Sequence, residues 1–269
     1  MSKYKYCSKH FVSLNWFDQD IKKHPKDEPW RHFAVSGFVM SIEDQWFLAT
    51  AGHILHDIEY NRKNNETRVR SMGLHDHGGV EAKFTEPFPF PFCEADKHFM
   101  YDEDRGIDFG FIRIEPFYRK IMEANAVKAI PESHWNTDDE FEATEYFVLG
   151  IPSALKVLLN KYQGGDTPLT GFARITVLEI DLLPQDEEQK EFPRICGKPK
   201  NFTVTKPEHV DGFSGGPLIG LGAAVDGKIP YRVLGMQHSW DNSQKVVWAN
   251  PLKLIGELIQ KKLRGEEFP

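Results

Sequence analysis

Asp211-Gly212-Phe213-Ser214-Gly215-Gly216-Pro217-Leu218 sets one hydroxyl in a glycine-rich turn that feeds an apolar strand. Glycine reaches backbone conformations closed to other residues, so this stretch reads as a tight turn whose N–H groups converge on one point. Two upstream stretches share its economy. Leu48-Ala49-Thr50-Ala51-Gly52-His53 is an apolar strand that delivers a histidine at its end, and Gly106-Ile107-Asp108-Phe109-Gly110-Phe111-Ile112-Arg113-Ile114 is an acid at the head of another.

Outward from these stretches the chain is punctuated into short strands. Phe33 to Ile42 and Trp46 to Thr50 flank Glu43-Asp44 and read as a hairpin. Further strands are expected at Gly106 to Ile114, Glu145 to Gly150, Gly171 to Ile180, Asn201 to Thr205, Pro217 to Ile219 and Tyr231 to His238. Many short strands broken by Gly, Pro and Asp-Gly point to antiparallel barrels or a sandwich. A long helix is expected over 250–265, with Asn250 as its N-cap, Pro251 at the first helical position, and Leu252, Ile255, Leu258 and Ile259 as its apolar stripe. A shorter helix is expected near Phe117 to Ala124. Residues 61–97, rich in charge and proline, read as a surface excursion, and His56 and Asp57 as part of a short turn after His53.

Composition removes several function classes. The 269 residues are 40% hydrophobic, 13% aromatic and 27% charged, ordinary values for a globular chain. The net charge of -7, with no long Lys/Arg stripe, lacks the footprint of a nucleic-acid or anionic-membrane binder. No apolar run reaches bilayer length, and Met1 to Tyr6 does not lead into an apolar signal core, so a cytoplasmic location is expected. Cys7, Cys93 and Cys196 are odd in number and far apart, which suits free thiols in a reducing compartment better than a disulfide framework. His75 and His77 have no acidic or cysteine partner at ligand spacing, so no metal is expected, and Gly220-Leu221-Gly222 lacks the third glycine of a dinucleotide loop.

Taken in order, the His, Asp and Ser stretches resemble the trypsin/chymotrypsin-like serine peptidases, including their bacterial cytosolic and HtrA-like branches; other serine hydrolases order the three differently. The resemblance runs from about Phe33 into the C-terminal helix. It implies an all-β fold of two six-stranded antiparallel barrels with a C-terminal α-helix. The chain would be a single unit over 1–269: a first barrel at about 30–115, a second at 140–249 and the helix at 250–265. It also implies a catalytic triad of His53 as base, Asp108 as the acid that orients it and Ser214 as nucleophile, with the N–H groups of Gly212 and Ser214 as the oxyanion hole. The specificity pocket would have Glu208 at its base, six residues before the nucleophile, and a wall strand with Gln237, His238, Ser239 and Trp240. Glu208 would favour a basic substrate residue, whereas His209 and His238 would favour an acidic one.

The family's secreted members carry an aspartate before the nucleophile to receive a new N-terminus; here Phe213 stands there, so an N-terminal ion pair is not the expected switch. The substrate implied is a polypeptide bound as an extended strand, with no cofactor and with room for a regulatory protein partner. Two other readings stay open on these residues: a catalytically silent member of the fold that binds peptides or assembles with a partner, and an esterase.

Overall fold

A computed structural model describes residues 3–20, 30–64, 67–76, 87–137, 141–153, 157–158, 171–172, 175–184, 190–200 and 210–266. In the first half, β1 (Val12–Asp20), β2 (Arg31–Val35), β3 (Phe38–Ile42) and β4 (Gln45–Thr50) lead into α1 (Gly52–Lys63). Then come β5 (Thr67–Asp76), β6 (Phe88–Pro89), β7 (Lys97–Asp102), β8 (Ile107–Ile114) and α2 (Pro116–Ala124). Two antiparallel four-stranded sheets result, in the orders β2-β1-β5-β6 and β3-β4-β8-β7. A Phe11↔Phe38 bridge and the Val12 N–H on the Gly37 carbonyl tie one to the other.

The second half holds β9 (Glu145–Gly150), the small β10 (Val157–Leu158) and β11 (Gly171–Phe172) ladder, β12 (Thr176–Leu182), β13 (Ile195–Pro199), β14 (Pro217–Leu221), β15 (Tyr231–Asp241) and β16 (Val246–Pro251), and it ends in α3 (Leu252–Leu263). Six of these strands close into a barrel in the order β12-β13-β16-β15-β14-β9. The fold is therefore all-β, with one closed six-stranded barrel, a barrel-like first half and a C-terminal helix.

Alternation explains why the central strands are apolar on both faces. Along β8, Phe109 and Phe111 join a core that spans both halves, while Ile112 and Ile114 join a second core under α1. β4 divides likewise, Phe47 and Ala49 to the first and Trp46 and Leu48 to the second. The shared core continues through Phe147, Leu149 and Met236 to Leu252, Ile255 and Ile259 of α3, so the helix is packed as a strut. At the N-terminal edge, buried His10 lies between the Lys128 carbonyl and the Tyr231 hydroxyl.

Several sequence expectations change. The strand expected over Phe33 to Ile42 breaks at Ser36-Gly37 into β2 and β3, which lie in different sheets. Glu43 and Asp44 do form the two-residue hairpin, both at positive φ (48° and 62°). His56 and Asp57 lie in the 12-residue helix α1 rather than a short turn. The expected excursion after residue 61 contains β5, paired with β1, and β1 itself lies ahead of the expected first-barrel start at about residue 30. Asn250 does not cap α3: Pro251 holds that position, and Asn250 is the buried penultimate residue of β16. Asn201 to Thr205 lies outside the described residues.

Candidate active site

His53 enters the site at the start of α1, directly after β4. Gly52 is required beneath it, because a Cβ there would stand 2.1 Å from the Met100 carbonyl oxygen. The His53 backbone N–H donates to Asp108 Oδ1 at 2.9 Å, and its ring Nδ1 lies 2.7 Å from Asp108 Oδ2. Both carboxylate oxygens thus hold the one residue, fixing ring orientation and assigning the proton to Nδ1. Burial pulls the His53 pKa down, but the hydrogen bond and charge of Asp108, helped by Asp57, outweigh it and leave the imidazole above its ordinary value. The Tyr101 ring meets the imidazole edge-on at 5.9 Å.

Asp108, 5% exposed, heads β8 and is itself held from the second half. Asn250 Oδ1 accepts the Asp108 N–H at 3.0 Å, and Asn250 Nδ2 donates to the Gly106 carbonyl at 2.9 Å. One amide side chain therefore satisfies a donor and an acceptor on either side of Ile107. Sequence reading assigned Asn250 to the helix cap and missed this role.

Ser214 lies in the turn between Val210 and β14. Gly212 and Gly215 both adopt positive φ, 92° and 90°. A Cβ on Gly212 would meet the Ile151 carbonyl oxygen at 2.4 Å, and one on Gly215 the Ser36 carbonyl oxygen at 2.2 Å, so the turn admits only glycine at these points. The turn is fastened to β15 by Gly215 N–H on the Gln237 carbonyl (2.7 Å) and Gln237 N–H on the Gly216 carbonyl (2.9 Å). Buried Ser36, at the break between β2 and β3, donates its hydroxyl to the Gly212 carbonyl at 2.6 Å and accepts the Ile151 N–H at 2.9 Å. The side chain of Phe213 is fully buried in the barrel core with Val148, Leu178, Ile180 and Val210. Among the described residues, no acceptor engages the N–H of Gly212 or of Ser214.

His53, Asp108 and Ser214 line one cavity of about 640 Å³. The Ser214 hydroxyl donates to the His238 carbonyl at 3.0 Å; among the described residues it makes no hydrogen bond to His53. The β15–β16 register slips between Gln237 and Ser239, and this bulge frees His238 from the ladder. The His238 ring is 6% exposed, with Nδ1 3.9 Å from Asp108 Oδ2, beyond hydrogen-bond reach. Burial, against the pull of Asp108, lowers its pKa to about 4. His238 nevertheless lines the cavity beside Ser214. Ser239 and Trp240 do line the cavity, joined by Lys190, Arg194 and Trp248, which sequence reading did not single out. Glu208 and His209 lie outside the described residues. No group of three or more possible metal ligands occurs among the described residues, and none of their helices is long and apolar enough to cross a membrane.

No protein-family model matches the chain, and no curated protein matches it. The solved structures similar to it include serine proteases of viral and bacterial origin. The serine protease domain of the Sesbania mosaic virus polyprotein is 13% identical, over 93% of this chain and 91% of that one, with a TM-score of 0.44. A catalytically inactive tobacco etch virus protease complexed with substrate is 11% identical, over 97% and 86%, at 0.43. The thermostable serine protease AL20 from an extremophilic microorganism is 14% identical, over 91% and 92%, at 0.44. At such values, the chemistry has to be decided by the chain's own side chains.

Proposed function

We propose that the chain is a serine endopeptidase that cleaves polypeptides with His53, Asp108 and Ser214 as its triad. The observation that carries this reading is a buried carboxylate held 2.7 Å from His53 Nδ1 while His53 and Ser214 line the same cavity. A serine hydroxyl is a poor nucleophile at neutral pH and needs a base whose free nitrogen is unprotonated; Asp108 fixes the proton on Nδ1 and leaves Nε2 for that task. This reading requires the Ser214 hydroxyl to exchange the His238 carbonyl for His53 Nε2 as its acceptor.

In the reaction, Ser214 Oγ bonds to the scissile carbonyl carbon as its proton passes to His53 Nε2. The carbonyl oxygen, now anionic, accepts from the free N–H groups of Gly212 and Ser214. His53 returns the proton to the amine nitrogen as the C–N bond breaks, and a water then releases the acyl group by the reverse order of proton transfers. No cofactor enters these steps.

The odd number and wide spacing of Cys7, Cys93 and Cys196 support placing the protein in a reducing, cytoplasmic compartment. A role in regulated intracellular proteolysis, within the HtrA-like branch of the superfamily, belongs to the same proposal. Fluorophosphonate labelling and peptide digestion test it. Both should occur with the native chain and vanish in Ser214→Ala; cleavage without Ser214, or a native chain that binds peptides but never labels, sinks the assignment.

A further inference from the structure

A second cavity, of about 280 Å³, is also lined by His53. It is a groove between α1 and the sheet that has β2 at its edge. Its apolar walls are Trp16, Phe33, Val35, Ile54, Ile58 and Val69. Trp16 stacks on Phe33 with ring centroids 5.1 Å apart and planes 9° from parallel, giving the groove a flat, stiff wall. Its cation, Arg31, is paired with Asp18 at 2.9 Å. The helix presents His53, Asp57 and Asn61 along it, at i, i+4 and i+8. Eight helical residues cover about 12 Å, the length of three or four residues of extended chain.

His53 belongs to both cavities, whereas Ser214 belongs only to the larger one. Acyl transfer gives that division a meaning. The acyl half of the substrate stays bonded to Ser214, and the amine half takes its proton from His53, so the departing segment leaves past the imidazole. We propose, resting on the peptidase reading above, that this groove seats an apolar side chain of the departing segment, at the first or second residue after the scissile bond. Apolar walls reward a Phe, Leu or Met there by removing its surface from water. An Asp or Glu side chain would lose its hydration without gaining a partner, since the nearest cation is already paired. The groove thus makes this chain selective on the side of the bond that leaves.

The test uses the full chain and peptides whose acyl side is fixed from its own cleavage sites, with the first and second residues after the bond varied singly. At one of those positions kcat/KM should be about 10- to 100-fold higher for Phe, Leu or Met than for Asp or Gly. Val35→Trp and Val69→Trp, each shown by circular dichroism to be folded, should compress that ratio to within about threefold by filling the groove. A flat profile at both positions in the native chain, or a folded filling variant that keeps a ratio above tenfold, overturns the groove assignment. A native chain that neither labels with fluorophosphonate nor cleaves any peptide refutes the peptidase reading instead, so the two failures are told apart.

Discussion

Replacing Asn250 by alanine removes a side chain that ties β16 to the head of β8. Asn250 is fully buried, and its amide satisfies the Asp108 N–H and the Gly106 carbonyl at 3.0 and 2.9 Å. Truncation strands one buried donor and one buried acceptor, each worth about 1–3 kcal/mol. The expected loss is therefore about 2–6 kcal/mol, a large share of a typical domain's 5–15 kcal/mol. At a urea m-value of about 2 kcal/mol/M, the unfolding midpoint should fall by about 1–3 M. Activity should fall too, because the carboxylate that orients His53 loses its anchor, and a displacement of about 1 Å near the chemistry costs about a hundredfold. Urea unfolding followed by tryptophan fluorescence, together with the rate of fluorophosphonate labelling, reads both effects. Asn250→Asp sharpens the test: it keeps the acceptor for Asp108 N–H but loses the donor to Gly106. Ionised beside that carbonyl and Asp108, the new carboxyl has a raised folded pKa, so its penalty grows as pH rises above about 4 and shrinks as acid restores the donor. If Asn250→Ala unfolds within about 0.3 M of the native midpoint and labels within twofold of the native rate, the anchoring argument is wrong.

Gly212→Ala should distort the turn locally and lower kcat by about 10²- to 10³-fold, since the new Cβ meets the Ile151 carbonyl and displaces the N–H proposed as an oxyanion donor; unchanged turnover would take Gly212 out of that role. The acid limb of kcat/KM should lie above pH 6.5, the ordinary histidine value, because the base must be neutral and Asp108 holds the His53 pKa up; a midpoint at or below 6.5 contradicts this. Acid should destabilise the fold through the buried neutral rings. His238 and His10 titrate at about 4 and about 3 when folded, so below the unfolded value near 6.5 the unfolded chain binds protons that the folded chain refuses. Stability then falls as pH drops from about 6.5 to 4, at up to about 1.4 kcal/mol per pH unit for each ring. His53 works in the opposite sense, stabilising below 6.5 and losing that contribution as pH rises through its folded value. Urea midpoints at pH 7 and 4.5 measure the net, and His238→Leu should flatten the slope; equal midpoints in the native chain would contradict the burial argument.

The three motif stretches were legible because each pairs an apolar strand with one polar residue at its end, and the structure brings all three to one cavity. The Glu43-Asp44 hairpin was legible for the same local reason. β1 was not: its polar residues Ser13, Asn15, Asp18 and Gln19 are buried, so the sequence Val-Ser-Leu-Asn-Trp-Phe-Asp-Gln-Asp hides its inward faces. Helix α1 was missed because its apolar residues are few and no side chain caps it. Asn250 acts through partners more than a hundred residues away, and such pairings leave no mark in local spacing. The asparagine was misread because Asn-Pro before an apolar stripe is also how a helix begins. The groove beside His53 is assembled from β1, β2, β5 and α1, so no single segment announces it.

The anchoring of Phe213 bears on how such a molecule could be controlled. The residue just ahead of Ser214 is secured by an oily plug in the barrel, and an oily plug carries no charge for a freshly cut amine to neutralise. The turn that carries Ser214 is thereby tied to the barrel core through its neighbour. On the proposed reading, regulation would fall to whatever admits or blocks a chain at the two openings beside the imidazole.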